Sequence, residues 1–194
     1  MDFEFGFLVP ISLMSSPVGH SLAGLSLYFL WNPYKRWGQV WEQKWEILTA
    51  VTLANLPDID MLAGIWVYGD RHAIHRTFTH SPFFALLLAV TLSFFSPIEQ
   101  RLQKIFRYFI LIFSHGFMDF FCGDELGHRS GQGIAIFYPW ITKKYTSPMA
   151  LLPSVDFKLG IWSIINWETI AFETILFGII LFLVIHWGGK KFQS

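Results

Sequence analysis

Residues 75–95 read "HRTFTHSPFFALLLAVTLSFF". Two histidines and an arginine stand at the mouth of an unbroken apolar run. Ser81-Pro82 is a helix start: a serine hydroxyl accepts from first-turn backbone N–H groups, and proline at the first helical position gives up an N–H that has no partner there. The stretch therefore predicts a helix from Pro82 to about Phe95 with a polar collar at its N-terminus, broken by Ser96-Pro97. The same Ser-Pro start at Ser16-Pro17 predicts a first helix over residues 17–31. Apolar runs at 45–56, 105–121 and 167–187 predict three more. Pro57 is expected to stop the second of these at Leu56, leaving 57–81 as a polar stretch and 122–165 as a long mixed loop region.

Composition gives these helices their surroundings. Of the 194 residues, 53% are hydrophobic and only 14% charged, against about 25% charged in soluble domains. Nine Trp and 21 Phe favour lipid or a lipid interface. Net charge is zero and the Lys and Arg are scattered, so no nucleic-acid partner is expected. A single cysteine, Cys122, excludes a disulfide framework and a cysteine-based zinc site. The opening "MDFEFGFLVPISLM" lacks a basic n-region, so a cleaved signal peptide is not expected. The expected fold is an all-α polytopic membrane bundle of about four to five apolar helices, one domain over residues 1–194, with a polar site at one end. Only 167–187 approaches the ~20 residues that cross a bilayer comfortably.

An up-and-down path brings the polar residues to one end. His20 opens the first helix, the second returns to "LPDID" and the histidine loop, and the fourth returns with His115 and Asp119. Eight cations, Lys35, Arg36, Lys44, Arg101, Lys104, Arg107, Lys190 and Lys191, fall at the other end in short segments. By the positive-inside rule that end is cytoplasmic and the polar cluster faces the extracytoplasmic side of a bacterial-type inner membrane.

Imidazole and carboxylate together make sites for zinc, manganese or iron. His115 and Asp119 are four apart, so a helix puts both on one face, among apolar neighbours. An ionisable group there costs on the order of 3 kcal/mol unless partnered, which marks it as functional by default; a structural His–Asp hydrogen bond satisfies the same pair. Asp58 and Asp60 face one side in an extended stretch, although Asp60 also suits the N-cap of "MLAGIWVYG". His75, His80 and His20 sit at helix N-termini, which disfavour imidazolium and keep a nitrogen lone pair free for a metal. Headgroup-level histidines are the plainer alternative. Arg76 suits an anionic group such as a phosphate, or is a simple interfacial arginine. Glu168 opens the last helix as a further ligand or base; Glu173 lies deeper and needs a partner. Thr79 needs no special role, His72 and His128 are not expected as ligands, and His186 reads as an interface anchor.

With these residues laid out, the chain resembles the membrane-bound metal-dependent hydrolase family of YdjM type. The elements stand in order as "SPVGHSLAG", "LPDID", "HRTFTHS", "SHGFMD" and "GIAIFYPW", over about residues 15 to 155. A more distant likeness is to zinc-dependent phospholipase C and S1/P1-type nucleases. By that likeness Asp119 bridges two metals, with Asp58 or Asp60, His80 and His115 on one and His20 on the other. The resemblance implies one or two divalent ions, zinc first, with manganese or iron as alternatives, held by His20, Asp58, Asp60, His75, His80, His115 and Asp119. A water activated by such an ion would attack a phosphoester, or an acyl bond, of a lipid-like substrate from the bilayer. Arg76 would hold the anion and Asp60 or Glu168 would take the proton. Competing classes are a non-catalytic scaffold, a metal-sensing protein, and a proton-coupled transporter, since His and Asp chains also relay protons. No substrate and no oligomeric state can be read from these residues.

Overall fold

The computed structural model describes residues 13–32, 42–123, 126–127, 133–156, 159–160 and 162–188. The first 12 residues, Lys35, Arg36, His128, Lys190 and Lys191 lie outside this set. The described chain is mostly helical: α1 (Pro17–Trp31), α2 (Lys44–Asn55), α3 (Ile59–Tyr68), α4 (Pro82–Ser93), α5 (Arg101–Phe120) and α6 (Ile164–Gly188). Four two-residue strands are minor additions. β1 (Leu13–Met14) pairs antiparallel with β4 (Val155–Asp156), and β2 (Cys122–Gly123) pairs parallel with β3 (Leu152–Pro153).

Both Ser-Pro starts cap helices. The Ser16 hydroxyl accepts the Gly19 N–H and the Ser81 hydroxyl accepts the Phe84 N–H, each at 3.1 Å. Pro57 acts differently from the expectation. It does not end the helical path but sits in the first turn of a 3₁₀ segment, Leu56–Asp58, that runs from α2 straight into α3. A first turn has no use for the missing proline N–H, so the ring is tolerated there. The stretch expected to be polar from residue 57 therefore holds a helix. It ends at Gly69, whose left-handed φ of 70° lets its N–H reach the Ile65 carbonyl at 3.0 Å.

Of the four to five apolar helices expected, with only 167–187 near spanning length, two candidate membrane spans emerge among the described residues. Lys44–Tyr68, the joined α2 and α3, and Ile164–Trp187 in α6 are long and apolar enough to cross a membrane. The others are too short or too polar. At 1.5 Å per residue, the 15 residues of α1 and 12 of α4 reach roughly 22 and 18 Å, short of the ~30 Å hydrocarbon core. Only 17% of the most apolar window of α6 is buried. The rest of that helix points apolar side chains outward, the surface of a helix meant to meet lipid.

Packing places the polar cluster. α1 lies against α2 and α6, α4 against α5, and α2 against α5. Phe29, Ala50, Leu53, Ala85, Leu111, Ile112 and Leu181 form the apolar core between them. At one end of that core the start of α1, the last turns of α5, and the 3₁₀ turns at 56–58 and 78–80 meet.

Candidate metal centre

α5 carries His115 and Asp119 one turn apart, and neither is exposed. Gly116 between them faces the incoming histidine loop. A Cβ there would lie 2.6 Å from the His80 carbonyl oxygen, so only glycine lets that loop close onto α5. The Ser81 cap then fixes His80 in the turn just before α4. The 3₁₀ turn brings Asp58, and the first turn of α3 brings Asp60, to the same place. Asp60 is thus within α3 rather than its N-cap, which is Asp58 acting without a side-chain bond. His20 arrives from the first turn of α1 and stacks on His115, with ring centroids 3.7 Å apart.

Hydrogen bonding settles which ring nitrogens face inward. His115 Nδ1 lies 2.8 Å from the Ala54 carbonyl, which can only accept, so Nδ1 carries the proton. Nε2 faces Asp58 Oδ1, 3.1 Å away. Either a proton on that nitrogen or a metal ion can join the two. His80 is oriented likewise. Its Nδ1 contacts the Thr79 hydroxyl at 3.0 Å, and that hydroxyl donates to Asp60 Oδ2. His80 Nε2 therefore faces Asp119 Oδ2 at 3.4 Å and Asp58 Oδ1 at 3.7 Å. His115 Nε2 to Asp119 Oδ2 is 3.8 Å.

Ligand atoms of Asp58, His80, His115 and Asp119 all lie within 4.8 Å of one another, and this group can hold a metal ion. Their spacing suits one. A tetrahedral ion at ~2.1 Å from each ligand separates neighbouring ligand atoms by roughly 3.4 Å, and the four separations above run from 3.1 to 3.8 Å. A second group, Asp60, His75 and His80, meets the same criterion. There Asp60 Oδ1 accepts from His75 Nδ1 at 2.9 Å, while Oδ2 takes the Thr79 hydroxyl and lies 3.4 Å from His80 Nδ1. A carboxylate that holds the far nitrogens of two histidines is the usual orienting partner of metal-binding imidazoles.

Several buried polar atoms here have no hydrogen bond among the described residues: both His20 nitrogens, His75 Nε2, His80 Nε2, Asp119 Oδ2 and all three guanidinium nitrogens of Arg76. Each such atom costs about 1–3 kcal/mol. Their concentration at one spot is what a site for an ion and an anionic ligand looks like. Arg76 is fully buried, its Nη2 3.6 Å from Asp119 Oδ2. Its backbone is left-handed, φ 61°, and its carbonyl accepts the Ala135 N–H at 3.0 Å, tying the histidine loop to the 133–140 segment. Lys144 Nζ donates to the His75 carbonyl at 2.9 Å.

Charge follows burial and neighbours. For His80, burial alone disfavours imidazolium, but the surrounding carboxylates of Asp119, Asp58 and Asp60 outweigh it and raise its pKa well above the usual value. A bound metal takes the place of that proton. For His75 burial prevails over its bond to Asp60, and its pKa is lowered. Burial, aided by Arg76, also lowers the pKa of Lys144.

The structure thus brings His20, Asp58, Asp60, His75, Arg76, His80, His115 and Asp119 together. Glu168 is not among them; it lies exposed near the start of α6. His72 borders the cluster, its ring 6.3 Å from that of His75, while its backbone N–H bonds Asp70 Oδ1; His186 is exposed and stacks on Phe182. Thr79 does have a role, contrary to expectation, as the hydroxyl between His80 and Asp60. Ser15 was not singled out either, yet its N–H donates to Asp119 Oδ1 at 3.1 Å. Ser15 stands beside a helix cap, and nothing in the sequence but its neighbour's role pointed to it.

No curated protein and no solved structure matches this chain, so the distant likeness to phospholipase C and S1/P1 nucleases finds no support there. A family model does match, over residues 14–192, which takes in every element from α1 to α6 and all residues of the cluster. With the two candidate spans it associates the chain with the lipid bilayer, and the chain belongs to the YdjM inner membrane protein family.

Proposed function

We propose that this protein is a membrane-bound hydrolase that depends on a divalent metal, zinc first, with manganese or iron as alternatives. The observation that carries the proposal is the convergence of Asp58, His80, His115 and Asp119, whose ligand atoms all lie within 4.8 Å of one another, with His115 Nε2 3.1 Å from Asp58 Oδ1. Asp58, His80, His115 and Asp119 hold the ion, with His20 and His75 open to a second. A bound divalent ion lowers the pKa of water toward ~7, which supplies a nucleophile at neutral pH. Arg76, whose guanidinium faces Asp119 at 3.6 Å but makes no hydrogen bond among the described residues, binds the substrate anion, and that favours a phosphoester over an acyl bond. Asp60 has both oxygens engaged by His75, Thr79 and His80, so orienting those histidines suits it better than taking a proton. Glu168, exposed at the start of α6, remains the other candidate acceptor. A lipid-like substrate fits a site borne on the two candidate spans, since Asp58 and Asp60 lie within one of them. The basic segments face the cytoplasm and the site the extracytoplasmic side; a reporter fused after Ser194 should read as cytoplasmic, and the opposite result reverses this orientation.

One observation favours the non-catalytic alternative. Four protein ligands close a tetrahedral site, as in structural zinc centres, and among them only Asp58 is partly exposed. Turnover decides between the two. Detergent-purified protein should hydrolyse a chromogenic phosphodiester, and His80→Ala and Asp119→Ala should abolish this. Metal-loaded wild type with no activity on phosphodiester or ester probes would leave a structural or sensing centre.

A further inference from the structure

Glu173 is the deepest carboxylate outside the cluster. It is fully buried, yet it belongs to α6, in the run "IAFETILFGIILF", within a candidate span. An ionisable group at such a position is costly and persists where it has a specific partner. Its partners are two serines that stand more than 150 residues earlier in the chain. Oε1 accepts the Ser15 hydroxyl at 2.5 Å, and Oε2 accepts the Ser16 N–H at 3.0 Å and the Ser16 hydroxyl. Gly19 makes room for this: a Cβ there would lie 2.6 Å from Glu173 Oε2.

Both serines lead into the cluster. Ser15 N–H donates to Asp119 Oδ1 at 3.1 Å, which leaves Oδ2 turned toward His80 and His115. The Ser16 hydroxyl caps α1 at Gly19 N–H, and the next residue is His20, 3.6 Å from Asp119 Oδ1. Docking α6 onto α1 would require only apolar contact. A carboxylate that takes three donors from the two residues holding Asp119 and His20 does something more specific: it fixes the rotation of a ligand.

We infer that Glu173 is a positioning residue for the metal centre, acting through Ser15 and Ser16 to set the Asp119 carboxylate and His20. This rests on the metal reading above. Partners of this kind typically contribute 10–100-fold in metal affinity. Glutamine in its place keeps an oxygen for the Ser16 N–H and offers an amide N–H to the Ser15 hydroxyl, so the tie survives without the charge.

The test uses the full chain in detergent and Co(II) as the probe, whose visible spectrum reports ligand number and geometry. Glu173→Ala should bind Co(II) about 10–100-fold more weakly than wild type and give an altered spectrum, while Glu173→Gln keeps the wild-type spectrum and most of the affinity. Should Glu173→Ala not fold, Ser15→Ala carries the test, since it removes the hydroxyl tie but keeps the N–H to Asp119. It should weaken binding several-fold and shift the spectrum. A folded Glu173→Ala, or failing that Ser15→Ala, with wild-type affinity and spectrum overturns the inference. Wild type that binds no Co(II) overturns the metal reading itself.

Discussion

The two ends of α1 both bury polar groups, and they do it in opposite ways. At the far end the Tyr28 hydroxyl lies 3.0 Å from Gln43 Oε1 and 2.8 Å from Glu46 Oε2, and Asn32 Nδ2 donates to the Tyr28 carbonyl at 2.7 Å. Glu46 is also open to solvent, and among the described residues no buried side-chain atom of these groups is left without a hydrogen bond. At the near end His20, His75, His80, Arg76 and Asp119 all keep buried atoms without a hydrogen bond. Carboxylate oxygens there face imidazole nitrogens across gaps that suit an ion. A polar network that is complete serves the fold. One that leaves buried polar atoms unanswered is built around something added to it.

The largest expected effect separates the two ends outright. Asp119→Ala removes the carboxylate shared by His20, Arg76, His80 and His115, and should reduce metal affinity by more than about 100-fold by calorimetry. Chelator should lower the melting temperature of wild type and leave that of Asp119→Ala unchanged, because an ion bound to the native state at 100 times its Kd adds about 2.7 kcal/mol. Equal melting of wild type with and without chelator would break the contrast. Gly116→Ala comes next. Its methyl meets the His80 carbonyl, so it should cost about 1–3 kcal/mol in unfolding free energy and weaken metal binding with it. Stability lost without any change in metal binding would detach His80 from the centre.

Arg76 sharpens the picture by a smaller margin. Its left-handed backbone makes Arg76→Gly more stable than Arg76→Ala by about 1 kcal/mol in denaturant unfolding, while both lose competition by inorganic phosphate. Should the two variants unfold alike, the backbone at 76 is not strained. The smallest effect belongs to the far end. Tyr28→Phe should cost about 1 kcal/mol and leave Co(II) affinity at the wild-type value; a change in that affinity would erase the distinction between the ends.

Local chemistry was legible in the sequence, and of the long-range chemistry the convergence of the His and Asp residues was legible but not the hydroxyl ties between them. Ser16-Pro17 and Ser81-Pro82 could be read as caps because a cap needs only its own next turn. The shared face of His115 and Asp119 followed from a four-residue spacing. Pro57 misled because proline stops a helix but suits the first turn of the next, and the two cases look alike in sequence. The second candidate span, Lys44–Tyr68, went unread because Pro57 appeared to cut it in two. Thr79 and Ser15 escaped because their partners, Asp60 and Glu173, are remote in sequence and a hydroxyl carries no pattern of its own.

The most direct measurement is the metal content of the detergent-purified protein, determined alongside Asp119→Ala prepared identically. Wild type should carry one or two equivalents of a divalent transition metal and the variant far less. Wild type with no stoichiometric metal, after purification without chelator, would contradict a metal centre built on Asp58, His80, His115 and Asp119.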